Sequence, residues 1–249
     1  MLQPTTDATA EALALEIDLT GYDGVVVSPG VPLNTHPIAG RAAQFGVPVI
    51  GDIELFAQAR ASLPPHKVVG ITGTNGKSTT TALVHHILQT AGVPTTMGGN
   101  IGLPILGQEP LPEGGVYVLE LSSFQIDLTF TLDCDVAALT NITPDHLDRY
   151  AGFAAYAASK ERLFQMQEQG QAVICDEDEP TSAIAEGLET AGKSLVRVKT
   201  ADLDAAGLAD GRSPSLAGPH NAQNAAVAVA ICSQLGLGQA QIAEGLATY

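Results

Sequence analysis

The sequence predicts an α/β protein built on a mainly parallel sheet with helices on both faces. Three observations carry this expectation: short β-branched runs alternate with longer helical patterns, several runs are apolar throughout, and one of them enters a glycine-rich loop that opens a helix. A strand with one wet face alternates polar and apolar residues; a strand covered on both faces has no polar side to show.

Taken in order, the strands are Val25 to Val27, Val47 to Ile50, Val68 to Thr72, Val116 to Leu121, Val136 to Leu139, Ala172 to Cys175 and Leu195 to Val198. Between them, Ser78 to Thr90 carries Ala82, Leu83, Val84, Ile87 and Leu88 at helical spacing. Phe153 to Gln167 carries Phe153, Tyr156, Ala157, Leu163 and Phe164, and Asn221 to Leu235 is a helix rich in Ala and Val. Leu63-Pro64-Pro65-His66 interrupts the pattern and reads as a linker, dividing the chain into residues 1–66 and 67–249.

Composition narrows the function classes. With 45% hydrophobic and 15% charged residues among 249, the chain is too apolar to be disordered. Its net charge is −16 and no basic cluster occurs, so there is no electrostatic footprint for nucleic acid or an anionic membrane as a partner. Any phosphate must be bound locally, by backbone N–H groups, one or two lysines and divalent cations. Cys134, Cys175 and Cys232 are odd in number and widely spaced, which favours a reducing, cytoplasmic setting over a disulfide framework. The longest apolar run, Ala225 to Cys232, falls far short of the roughly 20 residues of a membrane span. No Lys or Arg precedes Arg41, so a basic leader is not expected.

The strand ending at Thr72 continues into Gly73-Thr74-Asn75-Gly76-Lys77-Ser78-Thr79, the strand–loop–helix context of a phosphate-binding loop. Glycines let the backbone wrap phosphates closely, helix-start N–H groups point at the anion, Lys77 pairs with the phosphates and the Ser78 hydroxyl ligates Mg²⁺. The spacing departs from the usual eight-residue pattern, because Ile71 stands five residues before Gly76. A glycine-rich βα turn without a ligand is the plainer alternative.

Three further features sit near this loop. Glu120 ends an apolar strand, as a second hard ligand for the cation or as an ordinary solvent-facing strand end. Asn141 to Tyr150 follows another strand and brings Asp145, His146, Asp148 and Arg149 to the same edge. Lys160 falls on the apolar stripe of its helix, four residues after Tyr156 and four before Phe164. Such a lysine either snorkels to solvent or serves a site.

These motifs resemble the Mur ligases, and within them the branch that adds D-glutamate. The phosphate loop is one the family shares with folylpolyglutamate synthase. Ser28-Pro29-Gly30, Gly51 to Phe56, Gly98-Gly99-Asn100-Ile101-Gly102 and Glu120 to Gln125 look like the D-glutamate branch, and Asn141 to Tyr150 looks like the family's metal and substrate segment. The resemblance implies an ATP-dependent amide-forming ligase of peptidoglycan precursor synthesis, cytoplasmic and monomeric, with UDP-N-acetylmuramoyl-L-alanine and D-glutamate as substrates. It implies two Mg²⁺ sites, one held by Ser78 and Glu120, the other by His146 and a carbamylated Lys160. Lys77, His146 and Lys160 would be the catalytic residues. Gly73 to Thr79 with Asn221 and Asn224 would bind nucleotide, and Ser28, Pro29, Gly30, Asn100, Ser122 and Tyr156 would lie at the substrate. For Asn221, capping of its helix is the alternative.

By the same resemblance, residues 1–66 correspond to part of a Rossmann-like UDP-binding domain and residues 67–249 to the central ATP-binding domain, with the D-glutamate-binding domain not included. The chain alone is then expected to turn over very slowly or not at all. Competing expectations are another Mur ligase, a folylpolyglutamate synthase-like ligase and a non-catalytic nucleotide-binding module. A GTPase is disfavoured, because no Asn-Lys-x-Asp motif occurs.

Overall fold

The computed structural model describes residues 16–210 and 212–249. The first elements form a small layer: β1 (Val25–Val26) pairs in parallel with β2 (Val49–Ile50), and α1 (Pro37–Phe45) crosses between them. The strand expected from Val47 is confined to Val49–Ile50, since Pro48 has no N–H to pair. α1 ends on Gly46 in the left-handed conformation, with φ 66°, where only glycine is comfortable. α2 (Asp52–Ala59) follows with two carboxylates in its first turn.

The larger body opens with β3 (His66–Thr72), which absorbs the last residue of the expected linker. Then come α3 (Lys77–Thr90), β4 (Thr95–Gly99), β5 (Gly115–Glu120), α4 (Ser123–Asp127), β6 (Val136–Leu139), α5 (Phe153–Gln165), β7 (Gln171–Cys175), α6 (Glu179–Thr190), β8 (Leu195–Val198), α7 (Asp202–Ala205), α8 (Pro219–Gln234) and α9 (Gln239–Thr248). The six strands are parallel throughout, in the order β4-β5-β3-β6-β7-β8.

The alternation of side chains along a strand explains the layers. Val69 and Ile71 of β3, with Val116 and Val118 of β5, face a core made with Leu83, Val84 and Ile87 of α3 and Val227 and Ile231 of α8. Val68, Tyr117 and Leu119 point the other way, toward Ile53 and Phe56 of α2 and Tyr156, Leu163 and Phe164 of α5. Both faces are covered, which is why the strands read as continuous apolar runs. The three cysteines are buried and unpaired. Among the described residues no helix is long and apolar enough to cross a membrane.

Candidate active site

Strands β3 and β6 lie side by side, but their outgoing connections part: β3 leads through α3 to the β4 edge, β6 through α5 to β7 on the other side. A crevice opens at the carboxyl end of such a pair, and it is where open α/β sheets bind ligands. Its walls are the phosphate loop after β3 and the Thr140–Tyr150 segment after β6.

The loop is stitched to that second wall. The backbone N–H of Thr74 donates to Asn141 O at 2.8 Å and that of Asn75 to Asn141 Oδ1 at 2.8 Å; Thr140 Oγ1 donates to Asn75 O at 2.7 Å. Gly73 and Gly76 hold φ of 150° and 82°. A Cβ on Gly73 would meet Thr140 Oγ1 at 1.9 Å, and one on Gly76 would meet Asn224 Oδ1 at 2.1 Å, so both positions require glycine for close approach. Beyond Gly76, α3 starts with no side-chain cap, leaving the N–H groups of its first turn for an anion. Ser78 is exposed there. Lys77 donates to Thr74 O at 2.9 Å, and burial lowers its pKa against the pull of Glu120 and Asp145.

Glu120 is not a solvent-facing strand end: it is 2% exposed. Across the sheet it stands level with Ile71 and Gly99. Its Oε1 accepts from Asn100 Nδ2 at 2.9 Å, while Oε2 is buried with no partner among the described residues. A buried carboxylate oxygen left unpartnered is an uncommon and costly arrangement, and its hard anionic character suits Mg²⁺. Glu120 and the Ser78 hydroxyl are thus oxygen donors of the type a hard cation takes, although among the described residues no group of three or more His, Cys, Asp or Glu side chains is gathered for a metal.

Lys160 does not snorkel. It is 1% exposed, and its Nζ donates to Gly73 O at 2.7 Å. Burial and the neighbouring Lys77 push its pKa down to about 7, partly offset by Asp145 and Asp127. Tyr156, one turn earlier, is also buried; its ring lies 4.6 Å from Lys160 Nζ and its hydroxyl 3.1 Å from Thr74 Oγ1. His146 also neighbours that ring, edge to face with centroids 6.3 Å apart, and its Nε2 is 3.6 Å from Asp145 Oδ2.

The sequence profile described as the Mur ligase middle domain matches residues 71–209. The chain belongs to the Mur ligase family. It is 64% identical over 236 residues to the UDP-N-acetylmuramoylalanine–D-glutamate ligase of Sphingopyxis alaskensis, covering 94% of this chain and 53% of that protein. It is 65% identical over 237 residues to the protein of the same name from Novosphingobium aromaticivorans, again covering 94% and 53%. The chain therefore spans about half the length of the curated relatives it matches. Among solved structures, the UDP-N-acetylmuramate:L-alanyl-gamma-D-glutamyl-meso-diaminopimelate ligase from Neisseria meningitides shares the fold at TM-score 0.64 and 17% identity, over 100% of this chain and 88% of that one. The UDP-N-acetylmuramoyl-L-alanyl-D-glutamate–2,6-diaminopimelate ligase does so at TM-score 0.61 and 19% identity, over 90% and 59%.

In this Mur ligase chain the remaining residues singled out from sequence are distributed as follows. Asn224 is buried against Gly76, beside the phosphate loop. Asn221 does not cap α8: the cap is Gly218, and Asn221 Nδ2 reaches back to Ser215 O and Ala217 O at 3.1 and 3.2 Å. Ser122 caps α4 in a reciprocal pair with Gln125. Pro29 lies in a groove between the Ser28–Asn34 loop and Phe124, Asp127, Arg149 and Tyr150. Sequence reasoning missed Thr140 and Asn141 as the loop's anchors, and Asp127, which accepts from Tyr150 OH at 2.8 Å and Ser159 Oγ at 2.7 Å. Thr140 and Asn141 stand just after β6 and Asp127 ends α4, and these positions were the available signal.

Proposed function

We propose that this chain carries the central part of an ATP-dependent carboxylate–amine ligase of peptidoglycan precursor synthesis, adding D-glutamate to UDP-N-acetylmuramoyl-L-alanine in the cytoplasm as a monomer. In this reading residues 1–66 contribute to the UDP-substrate side and residues 67–249 bind ATP. The observation that carries it is the convergence of Lys77, the partnerless Glu120 oxygen and buried Lys160 on one phosphate loop. The names of the close relatives support the choice of acceptor and amine.

The substrate carboxylate attacks the γ-phosphorus of ATP, ADP leaves, and an acyl phosphate forms. The amine of D-glutamate then attacks that carbonyl, loses a proton and expels phosphate, giving the amide. Two anions must first meet in a strongly acidic chain. Lys77 and the N–H groups at the start of α3 stabilise the phosphates, and Asn224 packs close against Gly76 beside them. Ser78 with Glu120 would hold one Mg²⁺, and His146 with Lys160 as its carbamate a second; these ions would supply charge neutralisation on the phosphates. Carbamylation needs a neutral amine, which the burial of Lys160 favours.

The test is calorimetric titration of Mg·ATP into the chain and its Lys77→Ala variant. A charged hydrogen bond of this kind is worth about 1.5–3 kcal/mol, and a loss of that size is expected. Equal affinities would remove the basis of the reading.

A further inference from the structure

We propose that Arg149 is a positioning residue that yokes the Ser28–Val31 loop to the His146 turn, so that a substrate seated on the first sets the place of the second. The functional part of this proposal rests on the ligase reading above; the mechanical part does not.

Arg149 works in two directions. Its backbone N–H donates to His146 O at 2.9 Å, closing a turn in which His146 holds φ 50°, the one positive φ of a non-glycine residue among those described. Its side chain crosses to the small layer, where Nη2 donates to Val31 O at 3.0 Å and Nη1 to Gly30 O at 3.4 Å. The guanidinium carbon lies 4.3 Å above the Phe124 ring, and Phe124 in turn packs 4.9 Å from the His146 imidazole and stacks on Tyr150 at 6.0 Å. A second strap runs alongside, from Asn34 Nδ2 to Asp148 O at 3.3 Å.

The choice of residue matters. Two adjacent carbonyls and an aromatic face suit a flat, forked cation; an ammonium cannot serve both carbonyls and lie flat on the ring. Among the described residues no carboxylate oxygen lies within 4 Å of the Arg149 guanidinium nitrogens, so two backbone carbonyls and a ring hold it in place of an ion pair. The same side chain touches both the loop expected at the muramoyl substrate and the ring that seats His146.

The experiment compares the 249-residue chain with Arg149→Lys, Arg149→Ala and Phe124→Leu at one pH, by amide hydrogen exchange and by NMR of the carbon-bound ring protons of His146. In both Arg149 variants the amides of residues 31 and 149 should exchange about tenfold faster together, the ring-current shift of His146 should fall, and the amide of Thr80 should keep its protection. Phe124→Leu should lose the His146 shift while residue 31 stays protected. Affinity for UDP-N-acetylmuramoyl-L-alanine should drop about tenfold in the Arg149 variants, with Mg·ATP affinity unchanged. An Arg149→Lys chain indistinguishable from wild type, or a loosened residue 31 with the His146 turn undisturbed, overturns the yoke. Coupled exchange in a wild-type protein of the relatives' full length that binds no muramoyl nucleotide sinks the ligase reading and leaves the yoke standing.

Discussion

Lys160 reaches from the middle of α5 to the carbonyl of Gly73, 2.7 Å away and 87 positions earlier in the chain. This single bond ties the helix that covers one face of the sheet to the first residue of the phosphate loop. It also accounts for a cation on an apolar stripe: the side chain is directed along Tyr156 into the crevice and away from water.

In the full-length enzyme, Lys160→Ala should lower ligation at least about a hundredfold, the scale seen when one electrostatic stabiliser is removed from a site. A small carboxylic acid added to that variant should restore part of the rate by replacing the lost anion. Lys160→Arg should not help, because a permanent cation repels Mg²⁺. Carbon-13 NMR after labelled bicarbonate reads the carbamate directly, and a plain ammonium in active, metal-loaded enzyme would refute it.

Glu120→Gln should separate folding from function. The amide keeps an acceptor for Asn100 and removes a buried charge whose second oxygen has no partner, so the melting temperature should hold or rise slightly. The additional stabilisation given by Mg·ATP in a thermal scan should largely vanish. A variant that melts early and still responds fully to Mg·ATP would contradict both halves.

Glu54 predicts a pH effect. Burial alone would raise its carboxyl, but the Phe130 N–H, Gln58, and the Thr131 hydroxyl and N–H outweigh it and hold the pKa below the ordinary value. A carboxylate with a depressed folded pKa binds fewer protons folded than unfolded, so its contribution is complete above the unfolded value of 4.5 and is lost as pH falls through the folded one. Denaturant titrations should therefore show a loss of stability below pH 4.5 that Glu54→Gln lacks. At neutral pH the same substitution should cost about 2–3 kcal/mol, since an amide offers an N–H to one of the donors the carboxylate now satisfies. A pH profile identical in the two proteins would rule this out.

The architecture was readable because both faces of the sheet are covered, which writes the strands as unbroken apolar runs. β4 escaped that reading: Thr95 to Gly99 is two threonines, a methionine and two glycines, and its backbone lies against Glu120, where a Cβ on Gly99 would meet Glu120 O at 2.2 Å. α6 was missed although Asp178 caps it and Pro180 sits in its first turn. For the site, Lys77 stood out as part of the loop motif, and Glu120 and Lys160 as charges in apolar company. The roles of Thr140, Asn141 and Arg149 were less legible than their positions after β6, because those roles come from carbonyls and amides that only the folded sheet brings beside them. Tyr156, expected near the substrate, is buried beneath the loop with its hydroxyl on Thr74.

The phosphate loop takes its shape from residues 66 positions farther along, since Asn75 is held by Asn141 only after β6 has docked beside β3. A ribosome that has released the loop and α3 has therefore not yet delivered a competent cradle. Pairings of such sequence separation close late and slowly, so the appearance of nucleotide affinity during refolding should report the arrival of β6 rather than the winding of the loop's own helix.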